Sequence, residues 1–330
     1  MNVFSALFAV GILAALGYAG GSLESLRWLF GAGLPYVAIA VFLAGIVLRV
    51  FRWSSSPVPF RITTTSGQQK SLPWVRRSKF DSPYTGFETV VRMLLEVLLF
   101  RSLFRNTKSE LRDGPRLVYG EEKWLWLAAM AFHWCFLIVF LRHLRFFMEP
   151  VPGWVAGLQT IDGFFQLGAP VLLWTGVILP VALVYLLYRR LAHPQVRYIS
   201  LFTDYFALFL LIGLALSGVL MRYFDKVDII AVKQLGVGLV TLSPVVPASI
   251  GPLFFVHLFL LTALLVYFPF SKLVHMPGVF LSPTRNLANN NRARRHLNPW
   301  NYPVKVHTYE EWEEEFHDKI VAAGLPLDKE

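Results

Sequence analysis

The chain has 330 residues, of which 55% are hydrophobic and only 16% charged, and its mean hydropathy is +0.51. Soluble domains carry about 25% charged residues, so this composition argues against a water-soluble protein with a single core. The 50 aromatic residues exclude intrinsic disorder. The single cysteine, Cys135, excludes a disulfide framework, an iron–sulfur cluster and a c-type haem held by this chain. In so apolar a chain, a net charge of +10 is more typical of cytoplasmic membrane-protein loops than of nucleic-acid binding.

Six apolar stretches are long enough to cross a bilayer, which requires about 20 helical residues. They cover residues 3–19, 33–50, 124–147, 165–188, 201–221 and 250–270. The first could be a signal peptide, but no basic residue precedes its apolar run, so we predict an uncleaved helix. The fold class predicted is therefore an all-α integral membrane protein, a bundle of six transmembrane helices.

The connection between the second and third spans, at about 52–121, contains an apolar segment that carries charge. Within residues 86–105, Glu88, Arg92 and Glu96 are four apart and share one helical face, whereas leucines occupy other faces. This pattern predicts an amphipathic helix lying in the membrane interface. The alternative is a solvated helix packed on a partner subunit.

The polar tail, residues 276–330, includes a predicted helix at 307–323. Thr308 begins it and Glu311 stands three residues later, which is the pattern of a capping box. Two interpretations stay open for this tail: a docking segment for a cytoplasmic partner, or a solvated surface helix.

The distribution of basic residues predicts the orientation. With six spans, the segments 61–116, 189–197 and 272–330 lie on one side and together hold 22 Lys and Arg residues, whereas the three opposite connections hold four. Positive loops stay in the cytoplasm. We therefore predict a multi-pass protein of the cytoplasmic (inner) membrane with both termini in the cytoplasm.

Four of the eight histidines lie in or at the ends of spans. His133 and His143 belong to the third span, and His257 and His275 to the sixth. The ten-residue and 18-residue separations correspond to about 15 and 27 Å of helix, and because 18 residues make five full turns, His257 and His275 would share a face. Because the two spans are antiparallel, His133 should meet His275 near the inner side, and His143 should meet His257 near the outer side.

Ionisable side chains inside membrane spans usually mark function, although a membrane histidine can also bridge two helices by a hydrogen bond. Zinc would require additional ligands. A haem needs only two axial ligands from the protein, because the porphyrin supplies four. Two b-type haems, with irons about 20 Å apart by the helix rise, would satisfy all four histidines.

This spacing, H-x9-H on one span and H-x17-H on a later antiparallel span, resembles the gamma subunit of respiratory nitrate reductase, a five-helix dihaem cytochrome b. Further stretches resemble the DsrM-like cytochrome b subunits of Dsr membrane complexes within that wider family. They are Arg61-Ile-Thr-Thr-Thr-Ser-Gly-Gln-Gln, Asp81-Ser-Pro, the segment from Leu98 to Asn106, Ser282-Pro-Thr-Arg-Asn-Leu, Arg295-His-Leu-Asn-Pro-Trp and Thr308-Tyr-Glu-Glu-Trp.

The resemblance implies three parts: an extra N-terminal transmembrane helix at 1–32, a five-helix dihaem domain at 33–275 and a cytoplasmic docking tail at 276–330. It implies electron exchange between menaquinol and a cytoplasmic iron–sulfur subunit, DsrK-like and similar to heterodisulfide reductases, in a complex with DsrJ, DsrO and DsrP. The outer haem would face the quinol. The lysine that helps to bind quinol in the nitrate reductase relative has no counterpart between the third and fourth spans.

Haem propionates need cationic partners, and Arg142 beside His143 and Lys272 before His275 are the candidates, with snorkelling to lipid headgroups as the alternative. Quinol oxidation needs a proton acceptor near the outer haem. Glu149 and Asp162 are the candidate carboxylates, and each could also be loop surface. Asp204, near the inner end of the fifth span, is interpreted as a helix cap.

Two other function classes stay open on sequence. A transporter or proton channel could use intramembrane histidines without haem, but the matched, broken half-repeats typical of transporters are not evident. A membrane anchor without chemistry would leave the four histidines unexplained.

Overall fold

A computed structural model of the protein describes residues 2–56, 68–104, 108–114, 116–282, 285–290, 293–294 and 306–328. Of the described residues, six helices are long and apolar enough to cross a membrane, which confirms the predicted fold class. They are α1 (Asn2–Ser22), α2 (Glu24–Ser54), α4 (Lys123–Phe146), α6 (Trp174–Ala192), α7 (Phe202–Tyr223) and α9 (Pro252–Phe270). A π-helical turn, Leu29–Gly33, interrupts α2 near its start.

Shorter elements fill the connections. They are α3 (Gly86–Leu99), a hairpin of β1 (Lys108–Arg112) and β2 (Arg116–Gly120), α5 (Gly153–Asp162), α8 (Ile229–Val240), α10 (His275–Leu281) and α11 (Tyr309–Ala322). The strands pair antiparallel, with Lys108 opposite Gly120. Neither the hairpin nor α8 was predicted from the sequence.

The order of packing places α4, α6, α7 and α9 side by side, with α1 against α7 and α9, and α2 against α9. Leu183, Leu210 and Leu260 lie at the centre of the main core. α1 approaches α9 closely at Gly17, where a Cβ would lie 2.9 Å from the Val256 Cα. Small residues allow such close helix contacts in membranes.

Three predicted spans differ from the structure. The second begins at Glu24 rather than at residue 33. The fourth begins at Trp174 rather than at residue 165, because Gly168 adopts a positive φ of 79° and Pro170 follows it. The sixth becomes 3-10 helix at Phe268–Phe270, around Pro269, and its helical path stops at the extended Ser271. His275 therefore begins a separate helix, and the inference that five continuous turns join it to His257 was wrong.

The helix α3 begins with a capping box, in which Thr85 and Glu88 each accept a backbone N–H of the other. Its apolar residues Phe87, Val90 and Leu94 are exposed, whereas Arg92 is buried. The charged stripe therefore packs against the protein's own chain, where Glu96 pairs with Arg285 of the tail at 3.0 Å. The outward apolar face suits the membrane interface.

The tail helix α11 matches its prediction to within two residues at each end, and Thr308 and Glu311 form the expected capping box.

Candidate haem-binding site

The four span histidines come together as two pairs. The ring centroids of His133 and His275 lie 5.8 Å apart, and those of His143 and His257 lie 6.3 Å apart with 15° between the ring planes. The first pair joins the beginning of α10 to α4, and the second joins α4 to α9. The combinations are those expected from antiparallel spans, although a break in the chain, and not a continuous helix, positions His275.

Hydrogen bonds to the ring nitrogens orient the four imidazoles. Each Nδ1 lies near an oxygen of the protein: His133 at 2.7 Å from the Ala129 carbonyl, His143 at 2.7 Å from that of Val139, and His275 at 3.2 Å from that of Lys272. A carbonyl only accepts, so each Nδ1 must carry the proton. Each Nε2 then keeps its lone pair, as metal-ligating histidines require.

The fourth histidine is held by a side chain of another helix. His257 Nδ1 lies 2.8 Å from the Ser217 hydroxyl, which lies 3.0 Å from the Leu214 carbonyl. Ser217 has one hydroxyl proton, and when that proton goes to Leu214, the serine oxygen accepts from His257. The Nε2 of His257 is again left as the free acceptor.

These pairs fit the axial ligand set of haem. A metal–imidazole bond is about 2 Å long, so a 6.3 Å separation of ring centroids has room for one metal ion between two nitrogens. Within the described ranges, no group of three or more His, Cys, Asp or Glu side chains is arranged to hold a metal ion. Two imidazoles are insufficient for a structural zinc site and sufficient for haem. Ligation by the four histidines stays a prediction.

Aromatic rings contact His133 of the His133–His275 pair. Phe100 and Phe132 contact the His133 ring edge-on, at centroid distances of 4.9 and 4.7 Å. Phe100 ends α3 in the left-handed conformation. The last carbonyls of α3 accept from α4, since Trp126 and Trp134 donate to Leu99 and Leu98 at 2.7 and 3.1 Å. The amphipathic helix is thereby attached beside His133.

The two arginines near His143 have different partners. Arg142 forms a buried ion pair with Asp162, and Asp162 also accepts from the Thr175 backbone and hydroxyl at 2.8 and 2.6 Å. Both carboxylate oxygens of Asp162 are thus in use, which makes this candidate a structural link between α4, α5 and α6. Arg145 donates to the Gln159 amide oxygen.

The other candidates lie nearer the surface. Lys272 is exposed and pairs with Asp204 at 2.9 Å, while Asp204 also accepts from the Leu201 backbone at 3.0 Å, as a cap of α7. Glu149 pairs with Lys233 of α8, and 64% of its side chain is exposed. Glu149 is therefore the more accessible of the two candidate proton acceptors. Its role in proton transfer, and the role of Lys272 as a propionate partner, stay predictions.

Sequence reasoning missed the residues of α7 that face the outer pair. Ser217 binds His257, and a Cβ on Gly218 would lie 3.6 Å from the same ring. A serine followed by a glycine within an apolar span is only a weak indication of a functional site, because both residues occur at many helix contacts in membranes. Only the neighbourhood of α7 and α9 reveals their partner.

Part of the motif set lies outside the described residues: 61–67, 105–106, 283–284 and 295–300. Among the described motif residues, Ser82 is buried and accepts a hydrogen bond at 3.3 Å from Asn289, a buried residue two positions after the Ser282–Leu287 motif. Asn289 also donates its backbone N–H to Pro83 at 2.6 Å. The connection between the second and third spans and the start of the tail are therefore joined by polar contacts.

Comparison with known proteins agrees with this architecture. The nitrate reductase gamma subunit family matches residues 104–294, more than half of the chain. A protein of Archaeoglobus fulgidus named Hdr-like menaquinol oxidoreductase cytochrome b-like subunit is 46% identical over 279 residues, 82% of this chain and 83% of the relative. A protein of the same name from Archaeoglobus profundus is 44% identical over 274 residues, 81% of each chain. This chain, whose histidines come together as two pairs, belongs to the nitrate reductase gamma subunit family.

Proposed function

We propose that the protein is the dihaem cytochrome b subunit of a membrane-bound quinol oxidoreductase. It passes electrons between menaquinol at the outer side and a cytoplasmic iron–sulfur subunit similar to heterodisulfide reductases. The two Archaeoglobus relatives are named as cytochrome b-like subunits of Hdr-like menaquinol oxidoreductases, which supports menaquinol as the electron donor and a partner similar to heterodisulfide reductase. The resemblance to DsrM-like subunits adds a DsrK-like partner, accompanied by DsrJ, DsrO and DsrP, and a role in dissimilatory sulfur metabolism.

The observation that carries the proposal is the pair of imidazole sites at different depths of one bundle. Each site has two rings within 6.3 Å, and at all four rings Nδ1 is engaged by an oxygen of the protein. Bound haem would supply a one-electron carrier at each site. The chain's own residues hold the imidazoles in the metal-binding tautomer, and α6 and α7 link α4 to α9 by packing contacts.

The proposed direction of charge transfer follows from the two ends of the bundle. Connections rich in Lys and Arg meet at the end near His133 and His275, where Arg189 pairs with Glu122, and this end would face the cytoplasm. The opposite end carries His143, Glu149 and Lys233. Quinol oxidised there would release its protons outside, with Glu149 as the candidate acceptor.

Removing one histidine from each pair tests the ligation. We expect His143→Ala to abolish the outer haem and retain much of the inner one, and His275→Ala to do the reverse. Redox titration of the optical spectrum measures each component. His317→Ala, on the exposed side of α11, is the matched control and should retain both.

Reduction by menaquinol tests the path. The His143→Ala protein should lose quinol reduction of its inner haem, because electrons enter at the outer site. A wild-type complex without any b-type spectrum would overturn the proposed function. A variant lacking the outer haem that reduced its inner haem at the normal rate would place quinol entry on the cytoplasmic side and overturn the proposed path.

A further inference from the structure

The outer end of α7 carries an arginine that no part of the proposed function has used. Arg222 follows Gly218 by four residues, so the two share one face of α7. Gly218 faces the His257 ring, since a Cβ there would lie 3.6 Å from Cε1 of the imidazole. Arg222 is therefore placed about one helical turn outward from the outer histidine pair.

The guanidinium of Arg222 has unused hydrogen-bonding capacity. One Nη donates to the Val171 carbonyl at 2.9 Å, and the guanidinium carbon lies 5.6 Å from the Tyr223 ring centroid. The Nε–H is buried and has no acceptor among the described residues. Arg142, whose Nη binds Asp162, likewise has a buried Nε–H without an acceptor in the described part of the chain.

Positive charge exceeds negative charge at this place. Arg142 interacts electrostatically with Arg222 and Arg145, and Asp162 is the single carboxylate among its main charge partners. Asp162 is already engaged by Arg142 and Thr175, and Arg145 donates to the neutral amide of Gln159. Arg222 is half-buried, and removing a cation or an N–H donor from water without a partner costs free energy. An anionic oxygen group would relieve both.

We propose that Arg222 binds a carboxylate of the outer haem through its Nε–H, with Arg142 as the second cationic group. This inference rests on the proposed function, since it requires haem at His143 and His257. Propionates are the haem's anionic substituents, and Arg is suited to carboxylates because its donors are charged and directed. Arg222 is thus a cofactor-binding residue, contributed by a helix that carries no haem ligand.

Replacing Arg222 in the full complex tests this assignment by potentiometry. A nearby positive charge stabilises the reduced, more electron-rich haem. We expect Arg222→Gln to lower the outer haem's midpoint potential and to leave the inner haem's unchanged. The outer potential should also become more dependent on pH, because a propionate without its cation takes up protons more readily. Arg222→Lys should restore part of the potential.

Arg145→Gln is the matched control, because it removes the same charge from the same end of the bundle but from an arginine engaged by Gln159. Its shift should be clearly smaller. Equal shifts of the outer midpoint potential in the two variants would show that Arg222 acts only through its charge at a distance, and would overturn the assignment. An unchanged outer potential in Arg222→Gln would also overturn it, and would point to another anion, such as a lipid phosphate.

The two levels of inference can be told apart. A wild-type complex that titrates as two haems sustains the proposed function whatever Arg222→Gln does. If Arg222→Gln fails to assemble, the Arg222→Lys complex decides the question. The outer haem of Arg222→Lys could have the same potential as in the wild type and be equally insensitive to pH. That result would contradict binding through the guanidinium Nε, which lysine lacks.

Discussion

At the scale of single residues, the orientation of His257 depends on a residue of another helix. His257 is oriented by Ser217 from the neighbouring helix, whereas His133 and His143 are oriented by carbonyls of their own helix four residues earlier. A carbonyl of the same helix needs no tertiary partner. The outer site is therefore the one whose ligand geometry depends on how α7 packs against α9.

This difference predicts the effect of Ser217→Ala. Loss of the hydroxyl frees the His257 Nδ1 and allows the ring to rotate or change tautomer. Since removal of an orienting group typically costs metal affinity about 10-fold or more, we expect weaker retention of the outer haem and a shifted spectrum, with the inner haem unaffected. Haem content per chain and low-temperature spectra measure both.

The control for this experiment is Thr262→Val. Thr262 is a buried hydroxyl on the same helix as His257, and it bonds to the Leu258 carbonyl one turn earlier. Its loss should leave both haems in place. An equal loss of outer haem in the two variants would show that Ser217 acts through general packing and not through the imidazole.

At the scale of elements, α3 shows how an amphipathic helix is attached to a membrane bundle. Two tryptophans of α4 satisfy carbonyls at its C-terminal end, and Arg285 of the tail pairs with Glu96 in its last turn. At its beginning, Arg77 donates two hydrogen bonds to Glu88, at 2.9 and 2.7 Å. The helix thus links the insertion, the tail and the inner histidine pair.

The Glu88 carboxylate makes the start of α3 sensitive to acid. The hydrogen bond from Arg77, helped by the backbone N–H groups of Tyr84 and Thr85, holds the pKa of Glu88 below its ordinary value, although burial opposes this. A lowered pKa in the folded state stabilises the protein above the unfolded value of about 4.3, and this stability is lost as the pH falls through the folded pKa. At neutral pH the contribution is complete.

Glu88→Gln should therefore lower stability at pH 7 by about 1 kcal/mol, the upper end for an exposed ion pair, since this pair is only partly buried. The difference in thermal midpoint between wild type and variant should begin to close as the pH falls through about 4.3 and should vanish only below the lowered pKa of Glu88, where the wild-type carboxyl is protonated. A difference that did not change with pH would contradict the ionic role of Glu88. Arg77→Gln should reproduce the variant's behaviour.

At the scale of the whole molecule, the basic connections gather at one end of the bundle. The Asn2 side chain donates to the Ser200 carbonyl at 3.4 Å, and Lys272 pairs with Asp204. These two contacts join the N-terminus to the connection before α7, and the region after α9 to the start of α7. At the other end, Arg27 donates to the Ile250 carbonyl at 2.7 Å, and Tyr36 donates to that of Leu239 at 3.0 Å. The six helices thus separate the two sets of connections.

The charge difference between the ends predicts cytoplasmic termini. A reporter enzyme that is active only after export should be inactive when fused after Glu330. The same reporter inserted at Lys226, in the connection between α7 and α8, should be active. An active fusion at Glu330 would reverse the orientation and with it the assignment of the quinol-facing haem.

Local patterns were sufficient for much of this protein. Apolar runs of about 20 residues identify the spans because a bilayer leaves no other way to satisfy the backbone, and Thr308 with Glu311 identifies a helix start because a capping box closes within four residues. The histidine combinations also followed, since antiparallel spans bring together residues at equal depth. These inferences need only the periodicity of the sequence and the direction in which each span crosses the membrane.

Contacts between helices could not be found in this way. The stop at Ser271, the Ser217–His257 bond, the Arg142–Asp162 pair and the placement of Arg222 all depend on which helices become neighbours and at what height. The position of a serine or an arginine in an apolar span does not indicate its hydrogen-bond partner, because many possible partners lie at a similar depth. Packing selects one of them, and so only the tertiary structure decided which side chain orients His257 and where Arg222 lies.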